Sequence, residues 1–184
     1  AGQCANLGLA GSGLNREYST YSAERAPTVS FLIRRVEGGL VSAELANVRP
    51  GDALELDGPY GEFCIPEPGD GRRYVFVATG TGIAPFHSFV TSYPGLDYKI
   101  LHGIRHAEEC YDRADYDPQR YVACVSGGGG GEFTGRVCDY LTAHGVEREA
   151  VYFLCGNRMM INDVYDLLRE HRVSGSNIYT ETFF

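Results

Sequence analysis

Tyr74-Val75-Phe76-Val77-Ala78-Thr79-Gly80-Thr81-Gly82-Ile83-Ala84-Pro85-Phe86 is the stretch whose reading decides the fold of this 184-residue chain. Five of its first six residues are apolar, and they are the β-branched and aromatic types that suit a strand covered on both faces. Gly80 and Gly82 leave no Cβ between backbone and ligand and tolerate positive φ. Pro85 fits the first turn of a helix, where its missing N–H costs nothing. A strand, a glycine turn and a helix N-terminus together make a place for a phosphate group. The full dinucleotide fingerprint needs a third glycine, which Ile83-Ala84-Pro85 does not supply. Taken alone, the stretch is therefore either a nucleotide site or a plain strand-to-helix turn.

Working outward toward the C-terminus, strands and helices alternate. Strands are expected at 98–104, 120–126, Val151–Cys155 and Ile178–Thr180, with a polar helical segment around 107–116. A helix is expected from about 135 to 144, ended by Gly145 as a C′ glycine. The helix after Asn157 places Met160, Ile161, Val164, Leu167 and Leu168 on one face. This pattern predicts an α/β doubly wound sheet of five parallel strands, whose ligands sit at the strand carboxyl ends. Thr79–Gly82, Ser126–Gly131 and Cys155–Asn157 all fall at those ends.

Toward the N-terminus, Glu67-Pro68-Gly69-Asp70-Gly71 reads as a linker, dividing the chain into residues 1–70 and 71–184. The first part is mostly β. Weak alternation marks 3–9, Arg16 to Ser22 reads as a strand, and Thr28 to Val36 reads as a clear strand with Val29, Phe31 and Ile33 on one side. Val41, Leu45 and Val48 share the face of a short helix after Gly38-Gly39, and Ala53 to Leu56 is a further short strand.

Composition excludes several classes of function. The chain is 43% hydrophobic and 22% charged, that of an ordinary globular protein. A formal charge of −8, without a Lys/Arg cluster, disfavours nucleic acid as a partner. No apolar run approaches the roughly 20 residues of a membrane span. The six cysteines form no Cys-x-x-Cys pair, so metal ligation is not expected and reduced thiols in a cytoplasmic protein are.

Several further motifs occur in order. Arg16-x-Tyr18-Ser19-Thr20 resembles the flavin-binding signature of the ferredoxin–NADP reductase family. Gly39-x-x-Ser42, Pro50-Gly51-Asp52 and Gly58-Pro59-x-Gly61-x-Phe63 resemble the second half of its flavin barrel. Gly80-Thr81-Gly82-Ile83-Ala84-Pro85, Cys155-Gly156 with Met160, and Glu181-x-Phe183 resemble its pyridine-nucleotide domain. The resemblance spans essentially the whole chain and implies two domains. The first is a truncated antiparallel β-barrel with four of six strands, two being expected before Ala1. The second is the parallel sheet.

The resemblance also implies roles. Tyr18 stacks on the flavin, Ser19 lies near flavin N5, Thr20 completes the signature, and Arg16 with Gly39 and Ser42 holds a pyrophosphate, hence FAD. Thr79, Gly80, Thr81, Gly82, Pro85 and Gly156 surround the nicotinamide nucleotide. Cys155 sits against the nicotinamide, its plain alternative being a buried small hydrophobe. Glu181 links to Cys155 and Ser19, giving a catalytic set of Ser19, Cys155 and Glu181. Phe183 covers the flavin, although Phe184 competes for that task.

Ser126 and Arg136 are the expected 2′-phosphate contacts. The family commonly places a further cation where this chain has Gly127, and Glu132 nearby can repel the phosphate or accept a bond from a ribose hydroxyl. NADP(H) is thus favoured over NAD(H). The implied activity is hydride transfer between NADP(H) and FAD, with single electrons passed to ferredoxin or flavodoxin. Arg25, Arg34 and Arg35 are candidates for docking that partner. The alternatives are an NADH-dependent reductase component of an oxygenase system and a non-catalytic nucleotide-binding remnant.

Overall fold

The computed structural model describes residues 1–183, so the ring of Phe184 lies outside the described residues. Strand β4 (Arg73–Thr79) is central, and its alternate side chains enter two different cores. Tyr74, Phe76 and Ala78 pack with Phe86, Phe89 and Val90 of helix α2 (Ala84–Ser92). Val75 and Val77 pack on the other face with Val137 and Leu141 of α3 (Val137–His144) and with Ile161, Val164 and Leu168 of α4 (Arg158–Glu170). A strand buried on both faces must be apolar at every position, which is why its sequence shows a continuous run.

On one side of β4 lie β5 (Asp97–Ile104), β6 (Tyr121–Val125) and β7 (Phe133–Thr134). On the other lie β8 (Val151–Asn157) and β9 (Ile178–Phe183). The six strands are all parallel, in the order β7-β6-β5-β4-β8-β9. The two-residue β7 extends the five expected strands at the edge. Chain direction reverses its progress between β4 and β8, so a crevice opens where Thr79 and Gly156 end their strands.

The first part contains β1 (Cys4–Leu9), β2 (Arg16–Ser19), α1 (Leu40–Leu45) and β3 (Leu54–Tyr60). They form a three-stranded antiparallel sheet ordered β2-β1-β3. Cys4 faces Ser19 and Leu7 faces Arg16 across β1 and β2, while a register shift between Cys4 and Asn6 lets β3 run on through Pro59.

Two local expectations are corrected. Thr28 to Val36 is not a strand: only Phe31 makes an isolated bridge, to Thr20, with Tyr21 N donating to Ser30 O at 2.8 Å. Val29 is 50% exposed, and Leu32 to Arg34 line a cleft instead of pairing. The segment has strand-like alternation without a strand to complete the ladder. The expected helix near 107–116 is two 3₁₀ turns, Ala107–Glu109 and Arg113–Asp115, separated by Asp112 at φ +43°. A left-handed residue interrupts any continuous right-handed helix.

The two parts share a core. Phe63 and Ile65 join the cluster of Phe76, Phe86, Phe89 and Phe153, with the Phe63 and Phe153 ring centroids 5.1 Å apart. Tyr21 stacks on His87 of α2 at 3.8 Å, and Ser88 Oγ donates to Ser22 O at 2.8 Å.

Candidate active site

A cleft of about 1400 Å³ runs between the two parts. It exceeds the roughly 300–1,000 Å³ of a pocket for one drug-sized ligand. Arg16 and Tyr18 reach it from β2, and Gly39 and Ser42 reach it from the start of α1. Thr79, Gly80, Thr81 and Gly156 form its floor at the crevice, Ser126 and Arg136 line it after β6 and before α3, and Glu181 and Phe183 come from β9. The cleft therefore gathers residues from positions 6 to 183 of the chain.

At the junction, Ser19 Oγ donates to Glu181 Oε1 at 2.8 Å, and Cys155 Sγ lies 4.0 Å from the same oxygen. Ser19 is 5% exposed and Cys155 is fully buried. Burial pushes the Glu181 carboxyl above its usual range; the Ser19 hydroxyl opposes this and the charge of Glu17 adds to it. Burial, with Glu181 beside it, drives the Cys155 thiol well above its ordinary value. Cys155 is thus a neutral thiol, suited to packing and weak donation rather than nucleophilic attack.

The crevice is held by close backbone contacts. A Cβ on Gly82 would lie 2.4 Å from Cys155 O, and one on Gly156, at φ +124°, would lie 2.4 Å from Thr79 Oγ1. Thr79 Oγ1 accepts from Asn157 N at 2.8 Å, and the Asn157 side chain caps α4 by accepting from Met159 N at 2.9 Å. Gly82 is buried, Pro85 lies inside the first turn of α2, and Cys155 sits beneath the cleft surface; all three shape the site from behind. Thr20 turns away, its hydroxyl donating to Gln3 O at 2.9 Å. Ser42 lines the cleft, and its Oγ accepts from Val36 N at 3.1 Å.

Glu132 does not face the cleft. Its carboxylate accepts from Ala123 N at 2.7 Å and from Arg113 at 3.2 Å, so it is committed away from any ribose or phosphate. Gly127 is packed: a Cβ there would meet Arg105 O at 2.5 Å. Sequence reasoning overlooked Arg105, which lines the cleft beside Ser126, and the buried His102 behind Gly80. The His-Gly-x-Arg order at the end of β5 was the available signal. Among the described residues, no cluster of three His, Cys, Asp or Glu side chains could hold a metal ion, and no helix is long and apolar enough to cross a membrane.

A two-part fold with a doubly wound sheet thus carries a cleft with cationic and glycine-lined walls around the Ser19–Glu181–Cys155 junction. Residues 1–65 match the oxidoreductase FAD-binding domain family. The chain is 32% identical to ferredoxin–NADP reductase B of Sorangium cellulosum over 209 aligned residues, covering all of this chain and 84% of that protein. It is 31% identical to the toluate 1,2-dioxygenase electron transfer component of Pseudomonas putida, covering 99% of this chain but 58% of that one. The crystal structure of a Neisseria gonorrhoeae ferredoxin NADP⁺ reductase with bound FAD and NADP superposes with a TM-score of 0.83 at 27% identity, covering all of this chain and 87% of that one. The chain belongs to the ferredoxin–NADP reductase family. It spans little more than half the length of the toluate component.

Proposed function

We propose that the chain moves hydride between NADP(H) and FAD and passes single electrons to a small redox protein such as ferredoxin or flavodoxin. What supports this reading is the Ser19–Glu181–Cys155 junction, where a residue of β2 meets residues of β8 and β9 beside one cleft. Residues 1–70 are assigned to flavin binding and 71–184 to the nucleotide. FAD, when bound, supplies the conversion between two-electron and one-electron chemistry. Arg16, Gly39 and Ser42 would hold its pyrophosphate, Tyr18 its ring face, and Phe183 the face that nicotinamide must approach. Glu181 and Ser19 hold a proton at the junction, and Cys155 closes the wall behind the nicotinamide. Arg105, Ser126 and Arg136 share the nucleotide-side wall, which supports NADPH even without a cation at Gly127.

A second reading, an NADH-using reductase component of an oxygenase, is favoured by the uncharged Gly127 to Gly131 run and by the similarity to the toluate dioxygenase component. Steady-state kcat/KM for both coenzymes on flavin-loaded protein separates the two. NADPH should be preferred, and Arg136→Ala should lower kcat/KM for NADPH roughly tenfold, the worth of one charge-assisted contact, while sparing NADH. A better rate with NADH, unmoved by Arg136→Ala, establishes the second reading. Protein that takes up no FAD overturns both.

A further inference from the structure

His102 lies in β5 and is fully buried. Its strand is covered on both faces, where an apolar side chain is the ordinary choice and an unpaired polar one is costly. Both ring nitrogens are engaged: Nε2 is 2.8 Å from Gly80 O, and Nδ1 is 2.7 Å from Tyr121 OH. A backbone carbonyl can only accept. Nε2 therefore carries the proton, and Tyr121 donates its own to Nδ1. Burial holds the imidazole neutral by driving its pKa down to about 4, in keeping with a ring that has one proton.

Gly80 opens the phosphate turn at φ +52°, with no side chain to restrain it. The peptide joining Gly80 to Thr81 is planar and trans, so its C=O and N–H point in opposite directions. Anchoring Gly80 O to a histidine inside the sheet turns the Thr81 N–H outward, and Thr81 lines the cleft. Tyr121 is steadied in turn by the Arg113 guanidinium, 4.4 Å from its ring centroid, and Arg113 pairs with Glu132 at 3.2 Å. These contacts tie the segment after β6 to the phosphate turn.

We propose that His102 is a positioning residue for the dinucleotide: it fixes the Gly80 peptide so that the Thr81 N–H meets the nucleotide's phosphates, and Tyr121 locks the tautomer that does so. The inference rests on the nicotinamide-dinucleotide reading given above. Its test is calorimetric titration of flavin-loaded protein with NADP⁺, alongside thermal unfolding and hydrogen exchange of the 79–84 segment. His102→Leu should weaken NADP⁺ binding about five- to tenfold and speed exchange at Thr81, by loss of one buried hydrogen bond. His102→Gln, whose amide can still donate to Gly80 O, should retain affinity within about threefold. Tyr121→Phe should fall between them. Leu at wild-type affinity, or Gln as weak as Leu, overturns the inference. If His102→Leu does not fold, nitrogen NMR of wild-type His102 decides: an Nε2–H signal that shifts on adding NADP⁺ supports the role, and an Nδ1–H tautomer or an unresponsive ring overturns it. Wild-type protein that binds no nicotinamide dinucleotide overturns the functional reading, and this inference falls with it; a failure confined to the variants leaves that reading standing.

Discussion

Glu181 concentrates the chemistry of the junction in one carboxylate. One of its oxygens is shared between the Ser19 hydroxyl and the Cys155 thiol, and its burial favours the protonated form. A carboxyl whose folded-state pKa lies above its unfolded value of 4.5 penalises the native state wherever it must ionise. That penalty is full above the raised pKa and is relieved as pH falls through it toward 4.5. Glu181→Gln keeps an acceptor for Ser19 and removes the charge. It should therefore be more stable than wild type at neutral pH, with the advantage narrowing on acidification. Urea unfolding at a series of pH values checks this, and an advantage that grows in acid would contradict it. The same neutrality governs Cys155, whose buried thiol stays protonated beside Glu181.

At the scale of elements, the crevice depends on how closely β4 and β8 end. Gly156 has a backbone conformation that side chains rarely adopt, and a methyl group there would press on Thr79 Oγ1 at 2.4 Å and on Thr79 O at 2.8 Å. Gly156→Ala should cost about 2–4 kcal/mol from backbone strain and overpacking together. Gly129→Ala meets open space and has no positive φ, so it should change stability by less than about 0.5 kcal/mol. Urea midpoints of the pair test the contrast; equal midpoints would show that the crevice is looser than its geometry. Glycine content alone did not separate these positions, because both read as glycines beside a strand end. By contrast, the β4 run, the Gly145 stop of α3 and the apolar face of α4 were legible, since each is written in contiguous or helix-spaced residues. The segment from Thr28 to Val36 misled for the complementary reason: alternation records which side chains face inward, not whether a neighbouring strand is there to pair.

Across the whole molecule, the two parts are joined by a common core rather than by a polar hinge. Phe63 inserts from the first part among Phe86, Phe89 and Phe153, and Tyr21 OH donates to Asp112 at 2.7 Å across the same boundary. Removing the Phe63 ring should cost about 3–5 kcal/mol. Because that core belongs to both parts, Phe63→Ala should lower a single transition seen identically by far-ultraviolet circular dichroism and tyrosine fluorescence. Two separated transitions would mean that the parts unfold independently.

By itself, the sequence determined the second part in outline: a doubly buried strand, a glycine turn, and alternating strands and helices, with Gly145 ending one of them. These features depend on interactions within a few residues, or on the requirement that a covered strand be apolar throughout. Most of the site candidates it marked line the cleft, although their roles came through likeness to a family rather than from spacing. That likeness implied the Ser19–Glu181–Cys155 link, but its geometry and the other contacts of the cleft were decided only by the tertiary structure. Ser19 and Glu181 are 162 residues apart and bond at 2.8 Å; His102 closes on Gly80 from a neighbouring strand; Glu132, expected at the nucleotide, turns instead to Ala123 and Arg113. Strand order and register create these contacts, and both depend on which distant partner is available to bury a face or accept a hydrogen bond. No local pattern carries that information.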